Sequence, residues 1–459
     1  MGANRSGRDT THENKMTKDQ VKFSSNFIKF AHEIITAKIT PINKQKQINK
    51  TLDDHLMFIA QQNKSDIFGV FKCANETNLI ICSTLHLQGG HSKFIYKLIE
   101  LSNRKNIIVI TEATGKVDKK LIDKIKNENN CEVAVLRGNT KVKLEALERL
   151  LNEEKYYKTY ILNSPNDFIP ILAALKCSGQ NYIYVHHSDL YPCPGASIKT
   201  WKHIDLLKGA YENCHLNVDT KYIPLPRSHK SLSIEPIVKE QRPGRKVVIT
   251  ASYNKLKFIG RRNFYSVIKS LTSSGEIKVV HFGNIPKLLQ IVSKLYFKGR
   301  QSAYEYHGPL DDMSKIKSKI EPDLALMSFP IPGGMTCVDY QSLGIPIIFF
   351  NYQENTNDEV LKLTSGNNLN AHSVKELTEI ILNTPKEKLI AIGRQNLKHY
   401  ENNYSDEIFC KSINKIAPAP VKNIAGSDNT FKIIILIIKQ MTLRGILRYI
   451  HNLEFRKQN

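Results

Sequence analysis

The residues whose types and spacing best suit chemistry lie between Pro322 and Pro346, in PDLALMSFPIPGGMTCVDYQSLGIP. The apolar run Leu324 to Met327 reads as a buried parallel strand. Gly333 and Gly334 follow, where a backbone can turn tightly or approach a ligand closely. Met335 and Thr336 stand at the mouth of the next helix, with Asp339 three residues beyond Thr336. Gly344 and Pro346 end that helix, and Ile347 to Phe350 open another strand. Such a unit gathers backbone N–H groups and a positive helix end at one point, a setting that suits a phosphate.

Three other stretches carry reactive or charged side chains. ITASYNKLKF places Lys255 and Lys257 just past the end of a strand, with Arg261 and Arg262 nearby. LHLQGGHSKF is a second glycine turn, Gly89 and Gly90, followed by His91. YVHHSDLYPCPGAS follows a buried strand and holds His187, Asp189 and Gly195; an imidazole beside a carboxylate has the makings of a tuned base.

The elements that would position these residues alternate in a regular way. Strands are predicted at residues 79–82, 107–110, 133–136, 159–163 and 182–186, with helices between them. Residues 222 to 245, rich in Pro, Lys and Ser, break the pattern. Alternation then resumes with strands at 247–250 and 277–282 and the stretch described above. Repeated βα units of this length predict open, mostly parallel sheets with helices on both faces. The fold class is therefore α/β, two doubly wound Rossmann-like domains whose strand ends face a common cleft. Residues 1–20 read as disordered and 21–65 as a helical extension. Residues 66–225 form the first domain, 226–245 a linker and 246–415 the second domain. Residues 416–459 make a basic amphipathic tail suited either to packing or to lipid headgroups.

Composition narrows the class. With 459 residues, 41% hydrophobic and 24% charged, the chain can build two full cores. A net charge of +23 favours an anionic partner. The eight cysteines include no C-x-x-C pair, which argues against a zinc ribbon, and they read as reduced thiols. The N-terminus lacks the apolar run of a signal peptide, and no segment reaches the length of a membrane span, so a cytoplasmic protein is expected.

The GPLDD at 308–312, the Gly-Gly-Met-Thr turn, Asp339 and the Gly344-Ile345-Pro346 end together resemble the nucleotide-sugar site of two-domain (GT-B) glycosyltransferases. The nearest likeness is to the protein O-GlcNAc transferases and related bacterial enzymes. That resemblance implies that Thr336 and nearby N–H groups hold a diphosphate, that Lys255 or Lys257 pairs with it, and that Asp339 accepts from ribose hydroxyls. Met335 departs from the family, which often has a second Thr there. Gly89, Gly90 and Gly195 would line the acceptor side, and His91 would point into the cleft. His187 would be the base, with Asp189 as orienter or alternative base. The family implies no obligatory metal and no cofactor beyond a nucleotide-diphosphate-sugar donor, UDP-sugar being favoured. Its acceptor would be a glycan, a lipid-linked glycan or a protein, at an anionic membrane surface or away from one, and not nucleic acid. Two rivals are a nucleotide-sugar epimerase of the same fold and a non-enzymatic basic protein that binds an anionic polymer.

Overall fold

The protein is described by a computed structural model covering residues 53, 72–86, 90–113, 115–128, 131–165, 167–177, 179–186, 193–215, 218–224, 227, 244–256, 263–299, 302–310, 312–351 and 358–416. The expected helical extension apart from Asp53, most of the linker and the tail beyond Ile416 lie outside these residues. So do Gly89, His187, Asp189, Lys257, Arg261 and Arg262.

The first domain runs β1 (Lys72–Cys82), α1 (Gly90–Glu100), β2 (Lys105–Ile110), α2 (Lys119–Glu128), β3 (Cys131–Val135), α3 (Thr140–Glu153), β4 (Glu154–Leu162), α4 (Ile169–Lys176), β5 (Tyr182–His186), β6 (Lys202–Asp205), α5 (Lys208–Cys214) and β7 (Thr220–Tyr222). Its seven strands are parallel, in the order β3-β2-β1-β4-β5-β6-β7. The second domain runs β8 (Arg245–Thr250), α6 (Phe264–Leu271), β9 (Ile277–Phe282), α7 (Lys287–Tyr296), β10 (Tyr304–Gly308), β11 (Leu324–Leu326), α8 (Gly334–Ser342), β12 (Ile347–Phe350), α9 (Asp358–Leu361), β13 (Leu369–Ala371), α10 (Val374–Asn383), α11 (Lys386–Tyr404) and α12 (Asp406–Asn414). Its six strands are also parallel, in the order β10-β9-β8-β11-β12-β13.

Side-chain alternation explains why the central strands are apolar on both faces. Ile80 and Cys82 of β1 enter one core, while Leu79 and Ile81 enter another on the opposite face. In β8, Val248 faces one core and Val247 and Ile249 face the other. A strand covered by helices on both faces must be apolar at every position. In each sheet the strand order reverses once, between β1 and β4 and between β8 and β11. The crevice at such a switch point is where open α/β sheets hold ligands.

Sequence order groups α12 with the second domain, but its packing is against the first. The Phe409 ring meets Phe94 edge-on at 5.8 Å, and Lys158 Nζ donates to the Ile413 carbonyl at 3.1 Å. Asp406 faces both Lys97, at 3.4 Å, and Arg227, at 3.0 Å. The chain thus crosses back and ties the domains together. Helix α11 fixes α8 from behind: a Cβ on Gly393 would stand 2.3 Å from the Gly344 carbonyl, so only glycine allows this approach.

Candidate functional site

The Gly333 turn and the start of α1 at Gly90 each follow a strand at a switch point. Strand β11 pairs with β8 through Leu324–Val247 and Ala325–Val248, so the segments leaving both strands emerge side by side. After β8 the chain makes a single 3-10 turn, Tyr253–Lys255, and Leu256 bridges to Pro330. Ser328 Oγ donates to the Ile331 carbonyl at 2.8 Å and fixes the turn from within. These contacts bring Lys255 over Gly333. The point where a Gly333 Cβ would stand lies 2.9 Å from both Lys255 Nζ and Thr336 Oγ1. An ammonium and a hydroxyl therefore flank one position, which is open because residue 333 has no side chain.

Helix α8 starts at that position. Its N-cap, Gly333, makes no side-chain cap bond, and its first turn has no acidic residue. The helix end keeps its positive character, and Lys255 adds a full charge beside it. Tyr340 Oη donates to Thr250 Oγ1 at 2.9 Å, which locks α8 to the end of β8.

The first domain meets the second at this place. A Cβ on Gly90 would stand 3.0 Å from Met335 Cγ, so the starts of α1 and α8 are in contact. One turn further along each helix, Lys93 Nζ lies 3.6 Å from Asp339 Oδ2. Asp339 is buried and Lys93 only partly exposed. The carboxylate expected to serve a ribose is thus held by a lysine from the facing domain. Lys93 was not singled out by sequence; a cation one turn into the helix after a glycine turn was the available signal.

His91 Nε2 lies 3.3 Å from the Leu162 carbonyl at the end of β4, so it sits at the first switch point, half-buried. Gly195 is placed differently from an acceptor-lining glycine. It is buried with φ +95°, and a Cβ there would stand 2.7 Å from Ile171 Cδ1 and 2.8 Å from Tyr184 Cε2. Its N–H donates to Asp53 Oδ1 at 2.6 Å, and Asp53 Oδ2 accepts from Ser197 N and Oγ, both at 2.7 Å. The turn is a packed structural corner, because a positive φ and two close neighbours leave room only for glycine.

Sequence reasoning also missed a buried network at the carboxyl ends of β1, β2 and β4. Asp167 Oδ2 accepts from Ser83 Oγ at 2.7 Å and from Thr111 Oγ1, and Oδ1 accepts from Ile169 N at 3.2 Å. Ser83 Oγ in turn accepts from Ser164 N at 2.7 Å. Burial raises the Asp167 carboxyl above its usual range, against the pull of these hydrogen bonds.

No protein-family model and no curated protein matches the sequence. Solved structures do match by shape. A lipopolysaccharide outer core galactosyltransferase, WaaB, aligns with a TM-score of 0.50 at 16% identity, covering 74% of this chain and 98% of that chain. The O-GlcNAc transferase of Thermobaculum terrenum aligns at 0.48 and 10% identity, over 86% and 76% of the two chains. WaaG, a glycosyltransferase involved in lipopolysaccharide biosynthesis, aligns at 0.47 and 11% identity, over 71% and 95%. The chain has the two-domain GT-B fold that its sequence led one to expect.

Proposed function

We propose that the protein is a glycosyltransferase that moves a sugar from a nucleotide-diphosphate donor to an acceptor hydroxyl. The observation that carries this reading is the joint approach of Lys255 and Thr336 to Gly333 at the uncapped start of α8. A diphosphate there would receive the helix N–H groups, the hydroxyl and the ammonium. As the sugar–phosphate bond breaks, negative charge grows on the departing diphosphate, and these fixed donors stabilise it. The acceptor oxygen forms the new bond to the sugar, and its proton passes to a base, the role assigned to His187 with Asp189 beside it. The donor nucleotide is assigned as UDP, bound without a metal. Domain contact through Gly90 and Met335 would exclude water from the transfer.

For the acceptor, a lipid-linked glycan at an anionic membrane surface is favoured over a free glycan or a protein. Helix α7 supports this, with Leu288, Ile291, Val292 and Leu295 exposed on a helix that also carries Lys287 and Lys294. Exposed leucines beside lysines match the interface of an anionic bilayer. No helix among the described residues is long and apolar enough to cross a membrane. Replacing Leu288 and Leu295 with Glu should reduce sedimentation with phosphatidylglycerol vesicles; unchanged sedimentation would remove α7 from any membrane contact.

The primary test is calorimetry of the full chain with UDP, GDP and dTDP, followed by a transfer assay with the sugar of whichever nucleotide binds. Binding of UDP that weakens by about tenfold or more in Lys255→Ala supports the assignment. Failure of every nucleotide diphosphate to bind would sink it.

A further inference from the structure

A second polar centre lies in the first domain, away from Gly333, where β5, β6 and α5 meet. His186 ends β5, Asp205 ends β6 and Cys214 ends α5; all three are buried. His186 Nδ1 lies 3.2 Å from Asp205 Oδ1 and 3.3 Å from Cys214 Sγ. One nitrogen, one oxygen and one sulfur, each able to bind a metal, lie within 4.8 Å of one another.

The surrounding hydrogen bonds fix which way these atoms present themselves. His203 Nε2 lies 2.8 Å from the Ile198 carbonyl, which can only accept, so the neutral His203 ring carries its proton on Nε2. Its Nδ1 is then an acceptor, and His186 Nε2, 2.9 Å away, donates to it. The neutral His186 ring therefore turns a lone pair on Nδ1 toward Asp205 and Cys214. Thr220 Oγ1 donates to Asp205 Oδ2 at 2.6 Å and leaves Oδ1 facing the same point. Without a cation, protons must fill the space between Nδ1, Oδ1 and Sγ. This is how metal-binding histidines and carboxylates are held elsewhere: the far atom is anchored and the near atom faces the other ligands.

We propose that His186 Nδ1, Asp205 Oδ1 and Cys214 Sγ form a zinc site that staples β5, β6 and α5. The dimensions fit. Zinc bonds of about 2.0–2.3 Å at tetrahedral angles put neighbouring ligand atoms about 3.3–3.6 Å apart. The two separations from Nδ1, 3.2 and 3.3 Å, are close to such edges without rearrangement. Nitrogen, carboxylate oxygen and a thiolate together favour zinc over magnesium or calcium, which take oxygen. Zinc binding transfers the thiol proton to solvent, and water takes the fourth corner. The site includes none of the residues proposed to hold the donor, so it bears on folding whether or not the protein transfers sugar.

The test uses the full-length protein equilibrated with zinc and then freed of excess. Stoichiometric zinc with one sulfur neighbour in X-ray absorption is expected. Cys214→Ser should lose that sulfur and lower the zinc affinity by about tenfold or more, while Cys410→Ser, on α12, should leave both unchanged. Wild-type protein that retains no zinc, or holds it without sulfur, would overturn the site, as would a Cys214→Ser variant that keeps the sulfur neighbour. If Cys214→Ser does not fold, cobalt loading of the wild type decides: intense thiolate-to-cobalt absorption supports the site, and its absence refutes it.

Discussion

The molecule makes the same unit twice, a strand followed by a glycine turn and a helix, and uses it in two ways. After β1, the residues on either side of the turn are tied together within their own domain: Ser92 Oγ accepts from His86 N at 2.8 Å, and Tyr96 Oη donates to the His86 carbonyl at 3.1 Å. The strand end beside it is occupied by Asp167 and its hydroxyl donors. After β11, the turn has no side-chain cap, and the nearest side-chain atoms at Gly333 are an ammonium and a hydroxyl. Shared topology puts both turns at switch points. The difference is in charge: the first unit uses its polar groups to hold loops, whereas the second assembles donors and positive charge around an open position.

The largest test of this contrast removes the charge. Lys255→Ala should weaken nucleotide-diphosphate binding by about 10- to 100-fold, since a hydrogen bond to a charged group contributes about 1.5–3 kcal/mol. Lys93→Ala, the corresponding change on α1, should leave more affinity, because Lys93 faces Asp339 and not Gly333. Its main effect should be on stability. Losing the ammonium strands a buried carboxylate, but the 3.6 Å separation and the partial exposure of Lys93 reduce the cost to about 1 kcal/mol, read as a lower denaturant midpoint. Equal losses of affinity in the two variants would erase the distinction between the turns. Thr336→Ala should come next, with about a tenfold loss of affinity and no loss of stability, because one hydroxyl hydrogen bond to an anion contributes about 1.5 kcal/mol, the low end for charged groups. Full affinity in calorimetry would take the hydroxyl out of the site.

Much of this was legible in the sequence, and the gaps have physical causes. Strands such as Leu79–Cys82 and Val247–Thr250 announce themselves because both faces are buried. Strands β6 and β7 do not, because they carry His203, which bonds the Ile198 carbonyl and His186, and Asp205, which accepts from Thr220, instead of an apolar run. In β10, Tyr304, Glu305, Tyr306 and His307 form a partly exposed strand near the sheet edge. The Gly333 turn and Lys255 could be found because local chain chemistry makes them. The Lys93–Asp339 pair could not, since it exists only once two domains meet. The His186, Asp205 and Cys214 cluster has no motif because three separate elements supply it.

The smallest predicted effect probes the contact between the two turns. Gly90 is the first residue of α1, where alanine should favour the helix by up to about 1 kcal/mol. In the native protein that gain is opposed, because the new Cβ would stand 3.0 Å from Met335 Cγ and must push a flexible side chain aside. Gly90→Ala should then be nearly neutral in stability. In a Met335→Ala background the obstructing atom is gone, and the same substitution should be stabilising. The cycle predicts a coupling of about 0.5–1 kcal/mol between residues of different domains. Additive effects in chemical denaturation would mean that the starts of α1 and α8 do not touch in solution. The closed arrangement of the two domains would then not be the one the free protein adopts.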